Sequence, residues 1–294
     1  MLTEQRNPRS ADIDRRSTLE ILRIMNEEDA TVALAVREAL PAIAQAVDAI
    51  VDGIRAGGRL IYVGAGTSGR LALMDAVECV PTFNTPPDLV QALVAGGTGA
   101  LTQVVEGAED DAEAGSRDLL RLGVGVRDVV VGVAASGRTP YVVGALQAAN
   151  EAGAVTIGIS CNAPAPLLEV AQIPILALVG PEVITGSTRL KAGTAQKMIL
   201  NMLSTASMIR LGKVYGNLMV DMRITNQKLA ERARRIVAEI AGVSLEEAGR
   251  LLAQAGNEVK TAIVTGLLGV EVEEARTLLE QAQGRLREII DRVE

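Results

Sequence analysis

The sequence predicts an α/β protein: a five-stranded parallel, doubly wound sheet followed by a small all-helical C-terminal subdomain. Three observations lead there. Five short apolar runs rich in β-branched residues recur along the chain: RLIYVGAG (59–66), DLVQALVAGG (88–97), DVVVGVAASG (128–137), AVTIGISCN (154–162) and IPILALVG (173–180). Stretches of helical periodicity separate them, and runs apolar on both faces that alternate with helices are strands of a sheet covered on both sides. Beyond about residue 228 the pattern is amphipathic and helical, with no strand signal.

Taken in order, residues 1–56 read as an N-terminal helical segment. Its apolar pattern over 31–56 is stopped by Gly57 and Gly58 at the C-cap position. The α/β domain spans 57–227, with crossover helices expected over 68–78, 109–121 and 140–152 and a long helix over 188–211. Residues 228–294 form the helical subdomain, with a capping box opening at Ser244 (SLEE) and a break near Gly269.

Composition narrows the function. Hydrophobic residues make up 48% of the 294, enough for a sizeable core, but there is one Phe and no Trp. A stacking platform for single-stranded nucleic acid needs aromatic faces. A net charge of −7 also disfavours a polyanion, so no nucleic-acid partner is expected. No uncharged run is long enough to cross a bilayer, and the charged N-terminus lacks the apolar core of a secretory signal. The two cysteines, Cys79 and Cys161, suit a reducing compartment, so a cytoplasmic protein away from membranes is expected. The chain has no histidine, which excludes Ser-His-Asp and Cys-His nucleophiles. It also argues against a zinc site, so no metal is expected. Acid–base chemistry then falls to carboxylates, Lys, Cys or Tyr.

Two strands end in related loops, GAGTSGR (64–70) and ASGRTP (135–140). In open α/β sheets, ligands bind where such loops lead into helix N-termini, whose unpaired amides and dipole favour an anion. The backbones at Gly66 and Gly137 and the hydroxyls of Thr67, Ser68, Ser136 and Thr139 suit a phosphate group. Arg138 and Arg70 either add charge or point to solvent. The bland alternative is two tight turns with Ser and Thr as caps. The spacing is not GxGxxG and no Walker lysine follows, so a nucleotide cofactor is not expected.

The loops resemble those of SIS domains, which bind phosphosugars, and the chain as a whole is similar to the N-acetylmuramic acid 6-phosphate etherase family. The resemblance rests on TEQRNPRSADID (3–14), RLIYVGAGTSGRLALMDAVECVPTF (59–83), VEGAEDD (105–111), VVVGVAASGRTPYV (129–142), GISCN (158–162), ITGSTRLKAGTAQKMILNMLSTASM (184–208), GKVYGNLMVD (212–221) and KTAIV (260–264). One departure is AVEC, where many members have ASEC; the glutamate is kept.

The resemblance implies an SIS fold and a cofactor-independent lyase that releases D-lactate. Its catalytic glutamates carry over to Glu78 and Glu109. Glu78 is expected in the last turn of its helix, ahead of Pro81, where the negative end of the dipole suits a proton donor. Glu109 is expected near a helix start, where the positive end suits a base, although an acidic helix start is ordinarily just dipole matching. Glu182, Ser187, Thr188, Arg189 and Lys191 are candidates for sugar or phosphate contacts. Ser187 reads equally as an N-cap, and Lys191 and Lys197 as solvated helix residues. Cys79 reads as a packed side chain. The surplus apolar surface of 31–56 and 188–211, together with the SIS resemblance, predicts a homodimer with the active site near the interface. Competing readings are an aldose–ketose phosphosugar isomerase and a sugar-phosphate-sensing regulator without turnover.

Overall fold

The computed structural model describes residues 1–103 and 105–292. The chain divides into two compact units, one of residues 1–77 and 87–204, the other of residues 78–86 and the chain from 205 onward.

In chain order the first unit contains α1 (Thr18–Asp29), α2 (Val32–Glu38), α3 (Leu40–Arg55), β1 (Leu60–Gly64), α4 (Gly66–Phe83), β2 (Val90–Val94), α5 (Ala112–Arg121), β3 (Val129–Val133), α6 (Pro140–Glu151), β4 (Val155–Ser160), α7 (Pro166–Val170), β5 (Ile173–Leu176) and α8 (Lys191–Arg210). The last residues of α4 and α8 belong to the second unit. The five strands form one parallel sheet in the order β2-β1-β3-β4-β5. Strands β1 and β3 are buried along their whole length, the expected result for sequences apolar at every position. Alternate residues face opposite sides. Ile61, Val63 and Val130 share a core with Leu119 of α5, Tyr141, Val142 and Leu146 of α6 and Leu167 of α7. On the other face Tyr62 reaches Asp75 of α4, and α3 packs across β1, β3 and β5. The sheet is doubly wound, as the sequence predicts.

The second unit holds a two-stranded antiparallel hairpin of β6 (Val214–Tyr215) and β7 (Leu218–Met219). It continues with α9 (Gln227–Ala241), α10 (Leu245–Gln254), α11 (Val259–Leu268), α12 (Val272–Gln281) and α13 (Leu286–Ile290). Ser244 caps α10 by accepting from the Glu247 amide, and Gly269 ends α11 in the left-handed conformation. Ala233, Val237, Ala248, Ala262, Ile263 and Ala275 form the centre of its core. Among the described residues no single helix is long and apolar enough to cross a membrane.

Several element boundaries differ from expectation. The single helix expected over 31–56 is broken by a bend of 60° between Glu38 and Leu40. Pro41 lacks the amide that would bond the Arg37 carbonyl, so the chain restarts with proline in the first turn of α3. Conversely α4 passes Pro81 and ends at Phe83: the proline removes the bond its amide would make to the Val77 carbonyl, and the helix runs two residues further. The Pro81 carbonyl accepts from the Arg223 amide. The hairpin 214–219 was not anticipated: two residues per strand are too few for a period-2 pattern to register.

Candidate active site

The strand order reverses between β1 and β3: β2 lies outward of β1, while β4 and β5 lie outward of β3. Gly64 is in register with Val133, so the two glycine-serine loops leave the sheet side by side at this switch point. Ligands of open α/β sheets bind in the crevice so formed.

The β1 loop is shaped by its glycines. A Cβ on Gly64 would lie 2.7 Å from the Gly69 amide, and one on Gly69 would lie 2.8 Å from the Gly64 carbonyl. Strand end and helix start therefore touch backbone to backbone. Gly66, at φ +53°, turns the chain into α4. Arg70 donates to the carbonyls of Ala100 (3.0 Å) and Gln103 (3.3 Å), so its guanidinium holds the loop after β2. Beneath that loop lies a cavity of about 310 Å3, lined among others by Ala65, Gly66, Arg70, Glu106, Gly107 and Glu109. Glu109 thus shares a cavity with the amino end of α4. Ser68 is buried and its hydroxyl donates to Gln196 Oε1 at 2.9 Å.

On the β3 loop, Ser136 Oγ accepts from the Arg138 amide at 3.2 Å, and Arg138 is exposed. Gly137 sits at φ +66°, where a Cβ would lie 2.5 Å from Ser160 Oγ and from Ala165. Thr139 is the N-cap residue of α6; its carbonyl accepts from Val142 and Val143, while its side chain makes no capping bond.

Both glutamates sit elsewhere on their helices than expected. Glu78 is exposed on α4 five residues before the helix ends, not in its last turn, because α4 continues through Pro81. Glu109 is exposed in a 3-10 turn over Ala108–Asp110, ahead of α5. The N-cap of α5 is Asp111, whose carboxylate accepts from the Ala114 amide, and the acid of the first turn is Glu113. Macrodipole effects fade within one turn, so the division of roles between the two glutamates cannot be argued from them.

The segment before α8 is built around buried charges. Glu182 is fully buried and accepts from the amides of Lys191 and Ala192, both at 2.9 Å. This carboxylate, not Ser187, caps α8, and α8 starts three residues later than expected. The Ser187 carbonyl accepts from Leu190 and the Thr188 carbonyl from Gly193, closing the turns that enter the helix. Lys191 is not solvated: its ammonium is buried and donates to Glu28 of α1 at 2.6 Å. Burial pushes Glu28 up, but hydrogen bonds from Lys191 and Asn7 outweigh it and hold the carboxyl below its ordinary value.

Nothing in their local pattern assigns the first ten residues a structural role. They form a strap. The Thr3 amide donates to Asn162, whose side chain donates back to Thr3 Oγ1 and to the Ala135 carbonyl on the β3 loop. Asn7 donates to Glu28 and to the Pro181 carbonyl, and Ser10 to the Val183 carbonyl. Also missed was Asp75, buried on α4, which accepts from Tyr62, Asn201 and Ser204 and whose carboxyl burial pushes up against those bonds. No local pattern announces such pairings, since the partners of the strap and two of those of Asp75 lie far along the chain.

In the second unit, a cavity of about 480 Å3 is lined by Asn84, Asp221, Arg223, Asn257 and Lys260 among others. Lys260 donates to Asp221 (2.9 Å) and to the Gly284 carbonyl (2.7 Å). Burial pushes its ammonium down, opposed by Asp221.

Residues 42–150 match the N-terminal SIS domain of glucokinase regulatory protein, and residues 216–260 the C-terminal lid domain of the same protein. Similarity extends along nearly the whole chain to curated proteins. An N-acetylmuramic acid 6-phosphate etherase of Mycolicibacterium smegmatis is 59% identical over 89% of this chain and 88% of its own. One from Geobacillus thermodenitrificans is 58% identical over 90% of each chain. The chain belongs to the N-acetylmuramic acid 6-phosphate etherase family. A further etherase, from an Enterobacter species, is 52% identical over 99% of this chain and 98% of its own, so the likeness takes in the strap and the C-terminal helices. A solved structure shares the fold. A phosphoheptose isomerase from Francisella tularensis superposes with a TM-score of 0.52 at 18% identity, covering 66% of this chain and all of that one.

Proposed function

We propose that the protein is a lyase that cleaves the D-lactyl ether of N-acetylmuramic acid 6-phosphate, giving N-acetylglucosamine 6-phosphate and D-lactate. The observation that carries this reading is the pair of glycine-serine loops at the β1–β3 switch point, with Glu109 in the cavity beside the first, in a chain of the etherase family. The phosphate sits on the amino ends of α4 and α6, approached by Gly66, Thr67, Ser68, Ser136, Gly137, Arg138 and Thr139. Glu182 and Lys191 support the site from behind, through their bonds to α8 and α1. Ser187 and Thr188 shape the turns that lead into α8.

The chemistry follows from the sugar. In its open-chain form, carbon 2 is α to the carbon 1 aldehyde, and the ether oxygen on carbon 3 is β to it. A base removes the carbon 2 proton, the carbon 2–carbon 3 double bond forms, and the carbon 3–oxygen bond breaks as an acid protonates the departing oxygen. Water then adds at carbon 3 and a proton returns to carbon 2. The overall change is hydrolysis, and no electrons are exchanged with any other molecule. We assign the carbon 2 base to Glu109, which lines the cavity beside the first loop, and this leaves the acid, later the base toward water, to Glu78.

Hydrogen exchange tests the assignment. In deuterated water Glu78→Ala is expected to abolish D-lactate release while still exchanging the carbon 2 hydrogen, and Glu109→Ala to lose both. Exchange that survives only in Glu109→Ala reverses the roles; a wild-type protein that releases no D-lactate overturns the function, and isomerised product in its place would mark a phosphosugar isomerase.

We also propose that the protein acts in the cytoplasm as a homodimer with the active site near the interface. Leu19 and Leu22 of α1, Leu34 of α2 and Leu40 of α3 are each more than two-fifths exposed, an apolar surface suited to a second copy. Sedimentation at micromolar concentration is expected to give twice the chain mass; a monomer would rule the dimer out.

A further inference from the structure

The first turn of α4 touches an amide whose two ends are treated unequally. Gln196 of α8 is 1% exposed. Its Oε1 accepts the Ser68 hydroxyl at 2.9 Å, while its Nε2 is buried with no hydrogen-bond partner. A buried donor left unpaired is disfavoured, and an unpaired carbonyl is better tolerated. Ser68, in turn, has committed its only proton to Gln196. A hydroxyl so committed has no proton to give an anion, although Ser68 lies at a helix amino end next to the loop proposed to hold the phosphate.

We infer that Gln196 is a positioning residue for phosphosugar binding: its side-chain amide turns end for end when the phosphate arrives and releases the Ser68 proton to it. The inference rests on the phosphate site proposed above. Terminal amide torsions are broad and roughly two-fold, so the turn needs no backbone movement. After it, Nε2 donates to Ser68 Oγ, and the Ser68 hydroxyl donates to a phosphate oxygen. The orphaned donor gains a partner, and Ser68 becomes a link in a chain of hydrogen bonds running from α8 through α4 to the ligand.

A double-mutant cycle reads this directly, with N-acetylglucosamine 6-phosphate as the titrated ligand and calorimetry as the readout. Ser68→Ala is expected to weaken binding about tenfold. Gln196→Glu, whose ionised carboxylate can only accept, keeps the Ser68 proton and is expected, at a pH where it is ionised, to weaken binding by a similar factor. In the Ser68→Ala background the same Gln196→Glu change is expected to add less than twofold. An equal penalty in both backgrounds means that Gln196 acts by charge or by touching the ligand, and overturns the inference while leaving the phosphate site intact. If Ser68→Ala binds as tightly as the wild type, the phosphate site at Ser68 fails first and the inference with it. Should Gln196→Glu not fold, Gln196→Met replaces it in the cycle, its effect again expected only where Ser68 is present.

Discussion

Glu28 and Lys191 show how buried charge is used here at the scale of single residues. Both are nearly inaccessible, and Asn7 and Arg9 supply further partners to the carboxylate. Removing one member of such a pair leaves the other charged and buried. Lys191→Ala is expected to destabilise the protein by about 3 kcal/mol in urea melts at neutral pH. Glu28 has a folded-state pKa below its ordinary 4.5, so its contribution is present above that value and lost as pH falls through the lower one. The stability gap between wild type and Lys191→Ala should therefore narrow below about pH 4.5; a gap unchanged down to pH 3 would deny the pairing. Neither residue's role was legible beforehand. Lys191 on a helix reads as solvated, and the identity of its partner is set by a contact 163 residues away.

Among elements, α5 and α6 cross backbone against backbone. A Cβ on Gly115 would lie 1.9 Å from the Tyr141 carbonyl, and one on Gly144 would lie 2.2 Å from the Ala112 carbonyl. Alanine normally favours a helix over glycine by about 1 kcal/mol. Here the sign reverses: Gly144→Ala must part the two helices and is expected to lower stability by about 2 kcal/mol, measured by thermal or urea unfolding. A neutral or stabilising result would mean that the crossing is looser than the structure has it. Strand positions were readable because β1 and β3 are apolar at every position and the other strands are short, mostly apolar runs rich in β-branched residues. Helix ends were less so. α8 takes its cap from Glu182, nine residues upstream and across a turn, and α4 ignores a proline that reads as a stop. Caps and stops depend on what surrounds the chain end as much as on the residue placed there.

Over the whole molecule, fold class and the parallel, doubly wound character of the sheet were legible because they depend on periodicity, which is local, whereas the strand order is set only by pairing in the folded chain. The loops of the candidate site were legible because small residues at a strand end have few uses. The supporting network was not, since Asp75, Asn162, Glu182 and Gln196 find their partners only in the folded chain. The N-terminal strap belongs to this group. Deleting residues 1–10 removes the bonds of Thr3, Asn7 and Ser10 and is expected to lower the melting temperature by about 3–6 °C, as loss of roughly 2–4 kcal/mol does in a protein of this size. Unchanged melting would show that the strap holds nothing.

The strap also sets an order of events during synthesis. Thr3, Asn7 and Ser10 leave the ribosome well before their partners: Asn162, Pro181 and Val183 are made 159, 174 and 173 residues later. Asp75 likewise waits for Asn201 and Ser204. At about 5–20 residues per second the strap stays unfastened for on the order of ten to forty seconds. Protease added to stalled ribosomes should therefore clip residues 1–10 readily until the nascent chain has passed α8, and a chain released early would emerge with this strap loose and the start of α8 unclasped.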